Sequence, residues 1–553
     1  MSRHVAELIL ELGEHQKAVD ARLQTWQSEQ IGRRIWEKDH TVWAAEPLPD
    51  ITDRLGWLSL PSTSPDEVEQ IEAAAREVEP EGFRHVVLLG MGGSSLAPEV
   101  FAAVFGSTPG RPRLLVLDST HPDAVLHVER QIAPANTLFV VSSKSGTTLE
   151  TLALFRAFWS RVADVSTSPG QHFLAITDPG SPLEGLAERR QFRRVFNAPA
   201  DVGGRYSALS PFGLVPAALI GAEIRGILSS ARIMAETCSQ SVDPRLNPGL
   251  TLGAVLGEPA LAGVDKITFI TSPSLARFPS WIEQLIAEST GKNGKGILPV
   301  ESEPELPIDS YGMDRFFVFI TLEQDGAAQF AADAARLASA GHPVAHVQLP
   351  RKTALGHEIF RWELAVAAAG AILGINPFDQ PDVQLAKDLA RRAMEDPDTV
   401  DGISGGGGST ISARSHGLAQ QLERWLRAEP GDYFAIQAYL APSAEIDAAL
   451  RQARGDLGRR LRVATTSGYG PRFLHSTGQL HKGGPAGGHF LQLVDQPQTV
   501  APVPETDYTF AELIRAQAAG DFGALLQRGR SVLRVDLEDD VAGGLERLLT
   551  LLP

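Results

Sequence analysis

A chain of 553 residues exceeds what one hydrophobic core usually serves, so two or three domains are expected. Its composition, 43% hydrophobic and 21% charged with no apolar run long enough to span a bilayer, fits a globular enzyme or binding protein. The 50 Lys and Arg against 67 Asp and Glu give a formal charge of −17, which argues against an extended nucleic-acid footprint and leaves any anionic substrate dependent on a local cluster of donors. Glu7 and Glu11 stand where a signal peptide would have its apolar core, so secretion is not expected. The single cysteine, Cys238, excludes an internal disulfide framework and suits a reducing cytoplasm.

Residues 1–80 read as a helical N-terminal segment whose tryptophans, Trp26, Trp36, Trp43 and Trp57, are packing residues. The pattern then changes. Short apolar runs at 85–90, 113–118, 137–142 and 173–178 alternate with stretches long enough for a helix, the signature of a parallel, helix-covered sheet. A second series follows at 267–273, 315–321 and 343–350, with helical segments such as 280–289 between. The predicted fold class is therefore α/β, with two doubly wound parallel-sheet domains at 81–240 and 241–400. Each opens with a strand that ends in small polar residues, Gly90-Met-Gly-Gly-Ser-Ser95 and Thr271-Ser-Pro-Ser274, where ligands of such folds sit. The Gly-rich tract 403–410 reads as a flexible loop or linker. It opens a smaller C-terminal α/β region, 401–553, with strands at 433–440 and 461–466 around a charged helix at 444–460. Segment 468–485 is glycine-dense and reads as a functional loop, because two histidines, an arginine and a lysine fall within 472–482.

The richest chemistry lies in Val140-Val-Ser-Ser-Lys-Ser-Gly-Thr-Thr-Leu-Glu150, where an apolar strand runs into hydroxyl residues, a lysine and a glycine before a helix resumes. A phosphate needs many short donors and little bulk. Ser143, Ser145, Thr147 and Thr148 supply hydroxyls, Gly146 lets the backbone approach, and the next helix adds N–H groups and a favourable dipole. The plainer reading is a capping box of Thr147 with Glu150, which leaves Ser143, Lys144 and Ser145 unexplained. Other motifs fail. Gly90-x-Gly92 followed by Asp118 mimics a dinucleotide fingerprint, but the third glycine position is Ser95. There is no Walker lysine motif, His357-Glu358 lacks its second histidine, and no Cys/His spacing suits zinc, so neither a metal nor a cofactor is expected. Arg205 follows paired glycines, where its planar fork can reach an oxyanion. Gln284 and Glu288, four apart on a helical segment, share one face.

Taken together, Gly90-Met-Gly-Gly-Ser-Ser, Ser142-Ser-Lys-Ser-Gly-Thr-Thr, Val202-Gly-Gly-Arg-Tyr-Ser, Glu288-Ser-Thr-Gly-Lys and Asn376-Pro-Phe-Asp-Gln-Pro-Asp-Val-Gln-Leu-Ala-Lys387 resemble the motifs of the phosphoglucose isomerase family in their order. The C-terminal part is similar to the isomerase half of bacterial transaldolase/phosphoglucose isomerase fusion proteins. The resemblance implies two sugar-isomerase (SIS) domains and interconversion of glucose 6-phosphate and fructose 6-phosphate through a cis-enediol. It implies that Ser143, Lys144, Ser145 and Thr148 hold the phosphate, that Gly93, Ser94, Gly204, Gln284 and Gln380 bind the sugar, that Glu288 moves the proton between C1 and C2, that Arg205 stabilises the enediolate and that Lys387 serves ring opening. It also implies a homodimer, and a separate transaldolase as partner. Two departures stand out. The usual Gly-Val-Glu before the lysine is here Asp382-Val-Gln384, and the family's ring-opening histidine, which follows the glutamate, is missing because no histidine lies between Glu288 and His342. His481 is the expected substitute. Two alternatives stay open at this point: a non-catalytic sugar-phosphate sensor, which would need the loop but no base, and a phosphomannose or dual-specificity isomerase.

Overall fold

The computed structural model describes residues 6–395 and 410–552. The Gly-rich residues 403–409 lie outside them. The N-terminal segment is not wholly helical: Glu7–Glu11 forms strand β1, whose side chains alternate between exposed and half-buried. Five residues without a turn signal carry too little pattern to separate strand from helix, and only the sheet edge they dock on decides the matter. The tryptophans pack as expected. Trp57 is fully buried and stacks on Tyr206 at 5.3 Å, and the Trp36 indole donates to the Cys238 carbonyl.

The first sheet is built from β2 (His85–Gly90), β3 (Arg113–Leu117), β4 (Thr137–Ser142), β5 (Phe173–Thr177) and β6 (Arg194–Asn197), all parallel, in the order β3-β2-β4-β5-β6. Val86–Leu89 and Leu138–Val141 have no exposed surface, because helices cover both faces. The chain runs from β2 outward to β3 and returns to the other side of β2 as β4. The connections that leave the carboxyl ends of β2 and β4 therefore run in opposite directions, which opens a crevice at this switch point, although the strands stay paired to Gly90 and Ser142.

The second sheet has the order β1-β10-β9-β7-β8, from β7 (Lys266–Thr271), β8 (Leu298–Val300), β9 (Arg315–Leu322) and β10 (Val344–Leu349), with β1 antiparallel on its edge. Behind it, helix Pro248–Leu261 lies on helix Leu355–Leu373. Gly249, Gly253 and Gly257 recur every four residues on the contact face, and a Cβ at Gly253 would stand 2.7 Å from the Ala368 methyl.

The third sheet, β11-β15-β14-β12-β13, is wholly parallel and has as many strands as the others: β11 (Thr410–Ser412), β12 (Tyr433–Tyr439), β13 (Ala464–Tyr469), β14 (Gly488–Val494) and β15 (Ser531–Asp536). Its helix Phe510–Gln527, started by a capping box of Thr509 and Glu512, packs alanines against those of helix Val383–Glu395. The segment expected to be a loop, 468–485, is mostly ordered into a 3-10 turn, Arg472–His475, and a short helix, Gly478–Gly483. Arg472 pins that turn to the first sheet by pairing with Glu99 and, at 3.1 Å, with Asp118. Asp118, which mimicked a dinucleotide-binding carboxylate, thus joins the arginine and the Ser95 hydroxyl. No helix among the described residues is long and apolar enough to cross a membrane.

Candidate active site

At the carboxyl end of β4 the chain turns through Ser143–Thr148 into helix Leu149–Ala163. Gly146 has φ +68°, and a Cβ there would stand 2.7 Å from the Leu183 nitrogen, so both the turn and its packing require glycine. The hydroxyls brace one another: Ser143 Oγ lies 2.9 Å from Thr148 Oγ1 and accepts from Gly146 N–H, while Ser145 Oγ lies 2.9 Å from Thr147 Oγ1. The N-cap of the helix is Thr148 rather than Thr147, and its side chain makes no cap bond, so the capping box expected of Thr147 and Glu150 is not what forms this loop. Lys144 turns away from its neighbours, 2.5 Å from Asp178 and 3.2 Å from the Ala200 carbonyl. A local pattern could not show this, because Asp178 arrives from the end of the next strand.

A second group assembles where helix Phe278–Thr290 passes the loop Gly203–Tyr206. Gln284 and Glu288 lie one turn apart, and Gln284 Nε2 donates to Glu288 Oε2 at 3.2 Å. Arg205, 3% exposed, sits 3.4 Å from Glu288 Oε1. Its fork donates to Ser289 Oγ, to Gln380 Oε1 and to the carbonyls of Pro377 and Asp379. Lys292 holds the same 376–379 stretch, 2.7 Å from Asp379, and burial together with the nearby Arg205 lowers its ammonium pKa to about 7. The turn Gly92–Ser94 closes this side. A Cβ on Gly93 would overlap the Gly204 carbonyl at 2.1 Å, so the two backbones touch. Gln284 Oε1 is buried without a protein partner among the described residues.

Beside the hydroxyl loop lies a cavity of about 560 Å³, lined by Ser145, Thr147, Thr148, Glu150, Lys387, His475 and Gln517 among others; Glu288, Arg205 and Gln284 are not part of this lining. Glu150 is central to it. Burial alone would raise its carboxyl, but the hydrogen bond and charge of His475, its own backbone N–H and Lys387 bring it below the usual carboxylate range. His475 Nε2 lies 3.3 Å from Glu150 Oε1, and Gln517 Nε2 donates to the same oxygen at 2.7 Å. The His475 carbonyl accepts from Gln284 Nε2 at 2.7 Å, which joins the cavity to the Glu288 group. Among the described residues, no group of three or more His, Cys, Asp or Glu is placed to hold a metal ion.

The structure does not bring His481 to this cavity. Helix Gly478–Gly483 turns its ring inward, 3% exposed, with the Phe490 ring centroid 5.0 Å away and Gln437 3.3 Å from Nδ1. Burial, with the charges of Lys482 and Arg530, pushes its pKa far below the ordinary histidine value, so it stays neutral and is a poor acid. Glycines and polar neighbours make this segment read as a loop, whereas Gln479, Leu480, His481 and Lys482 are buried and Leu480 packs between the second and third sheets. The sequence did mark this segment; His475, Glu150 and Gln517 were missed as a group because they come from three distant stretches.

A profile of the phosphoglucose isomerase family matches residues 69–298. A glucose-6-phosphate isomerase from Thermus thermophilus is 30% identical over 386 residues, covering 62% of this chain and 90% of that protein. The chain belongs to the phosphoglucose isomerase family. A further glucose-6-phosphate isomerase, from Rubrobacter xylanophilus, is 28% identical over 394 residues, 63% of this chain and 90% of its own. Among solved structures, a hypothetical protein from Thermus thermophilus aligns with a TM-score of 0.61 and 28% identity, across 70% of this chain and all of that one. A glucose-6-phosphate isomerase from Chlamydia trachomatis aligns with a TM-score of 0.58 across 69% and 86%; at 21% identity it shows the phosphoglucose isomerase fold alone. The family match spans the hydroxyl loop, Arg205, Gln284 and Glu288, but stops short of Gln380, Lys387 and the whole third sheet.

Proposed function

We propose that this chain is an aldose–ketose isomerase that interconverts glucose 6-phosphate and fructose 6-phosphate through a cis-enediol, an activity of glycolysis and gluconeogenesis. Family membership supports the activity. The observation that carries the residue assignment is Glu288, held by Gln284 and lying 3.4 Å from the buried Arg205. Moving a carbon-bound proton between C1 and C2 needs a positioned carboxylate, and the enediolate oxygens need fixed positive charge nearby. Glu288 takes the proton from one carbon and returns it to the other. Arg205, its donors already directed at protein acceptors, acts as a rigid charge.

Ser143, Ser145 and Thr148 hold the phosphate together with the first N–H groups of the helix. Lys144 contributes from behind the loop, where Asp178 offsets part of its charge. Gly93, Ser94 and Gly204 line the sugar, Gln284 Oε1 accepts from one of its hydroxyls, Gln380 acts through Arg205, and Lys387 serves the ring-opening side of the cavity.

A coupled assay on fructose 6-phosphate, with mannose 6-phosphate as control, tests the reading. Glu288→Gln should keep the fold and substrate binding but lose turnover by roughly 10²–10⁴-fold, the scale of a lost general base. Activity within a few-fold of wild type would remove Glu288 from the role. The resemblance further supports a homodimer, a separate transaldolase partner and a cytoplasmic setting suited to the single cysteine; light scattering and co-purification test the first two.

A further inference from the structure

One wall of the cavity is formed by the third α/β unit, which contributes Leu474, His475, Lys482, Leu513, Ala516 and Gln517 opposite Ser145, Thr147 and Thr148 of the first. The N-terminal two sheets thus do not enclose the site by themselves. We infer that His475, delivered by the third unit, is the catalytic acid that opens the cyclic sugar phosphate, and that Glu150 is its positioning residue; this rests on the isomerase reading above.

Hexose phosphates are mainly cyclic, and proton transfer between C1 and C2 requires the open carbonyl form. Opening needs a proton at the ring oxygen, and an imidazole is the side chain best suited to give one near neutrality. His475 is the histidine in the cavity lining. The others that could be considered are committed elsewhere: His481 lies in an aromatic cluster, His121 bonds Asp495, His346 bonds Thr321, and His357 is buried in the helix behind the second sheet.

The geometry orients the ring. Nε2 faces Glu150 at 3.3 Å, and Nδ1 has no protein partner among the described residues. Glu150 is itself held by Gln517, whose side-chain Oε1 accepts from the Thr120 hydroxyl at 2.6 Å. A carboxylate on one ring nitrogen fixes the tautomer and frees the other nitrogen for the substrate. The backbone is also fixed. Arg472, three residues earlier, is clamped by Glu99 and Asp118, and the His475 carbonyl takes the Gln284 amide that also holds Glu288. Gly92 leaves room for this approach: a Cβ there would lie 2.8 Å from the His475 carbonyl oxygen. The ring-opening and proton-transfer groups therefore share one frame.

In the step itself the protonated imidazole gives its Nδ1 proton to the ring oxygen as the bond from that oxygen to the anomeric carbon breaks, the bonding pair remaining on the oxygen. The anomeric hydroxyl loses its proton to water, and its O–H pair becomes the second bond of the carbonyl. Solvent then returns a proton to His475.

His475→Ala and His475→Gln in the full chain are compared on three readouts: isomerisation of fructose 6-phosphate, enzyme-catalysed exchange between glucose 6-phosphate anomers by NMR, and solvent exchange of the C1 protons of 5-deoxyfructose 6-phosphate, which lacks the hydroxyl that closes the ring. Both variants should lose anomer exchange and cyclic turnover by roughly 10²-fold or more, while open-chain exchange stays within about threefold of wild type. Glu150→Gln should show the same split in weaker form. Open-chain exchange doubles as the folding control, and the glutamine variant covers the case in which alanine loosens the turn. Equal losses on open and cyclic substrates, or undiminished anomer exchange in both variants, would overturn the assignment. A wild-type protein that exchanges no protons on the open-chain analogue would instead overturn the isomerase reading itself.

Discussion

Arg205 shows how far a side chain's chemistry depends on what occupies its donors. From sequence, an arginine after two glycines reads as a free fork waiting for an oxyanion. In the fold, its Nε and both terminal nitrogens are spent on Ser289, Gln380, Pro377 and Asp379, so it works through charge held in place. The hydroxyl loop differs, since Ser145 and Thr147 are exposed and Thr148 is half-buried, all open to the cavity. Donors of this kind grip substrate and transition state alike. Ser145→Ala and Thr148→Ala should therefore each raise KM by about 2- to 10-fold, the worth of one neutral hydrogen bond, with kcat little changed. An unchanged KM for both in steady-state kinetics would remove the loop from phosphate binding.

Between elements, packing overrides local preference. Gly253 sits inside helix Pro248–Leu261, where alanine would favour the helix by about 1 kcal/mol. The added methyl, however, would meet Ala368 at 2.7 Å and the Ala365 carbonyl at 2.9 Å. Gly253→Ala should thus destabilise by about 1–3 kcal/mol, the usual cost of overpacking. Gly185, within helix Pro182–Arg189, meets only the tip of the Arg189 side chain at 3.2 Å, so Gly185→Ala should stabilise. Urea unfolding of the pair checks the opposite signs; two stabilised variants would mean that the close helix contact gives way. The same logic explains β1, whose residues are strand only because β10 offers an edge.

Across the molecule, buried titratable groups couple folding to pH. His357 has no exposed surface and, among the described residues, no protein partner on either ring nitrogen, and burial, with Arg361 and Arg351, lowers its pKa from 6.5 to about 4. The unfolded chain binds this proton near 6.5 and the folded chain only near 4. Its contribution to stability is therefore complete above 6.5 and disappears as the pH falls towards 4. Between pH 7 and pH 5, wild type should lose roughly 2 kcal/mol more than His357→Leu in urea unfolding. Parallel pH profiles for the two proteins would show that the folded chain takes up the proton freely.

The sequence by itself determined what depends on neighbours in the chain: two series of buried strands alternating with helices and two strands of a third unit, the hydroxyl loop after β4, the shared face of Gln284 and Glu288, and the polar character of segment 468–485. Strand burial and loop chemistry are written within a few residues, so periodicity and residue type disclose them. Only the tertiary structure decided which of two nearby histidines meets the cavity, that Lys144 is occupied by Asp178, and that the third sheet closes the site. Glu150 is 325 residues from His475 and 367 from Gln517. Contacts at such separations arise from how sheets and helices dock, and docking is set by the sum of many burial contacts across the interface, which no local pattern of residues encodes.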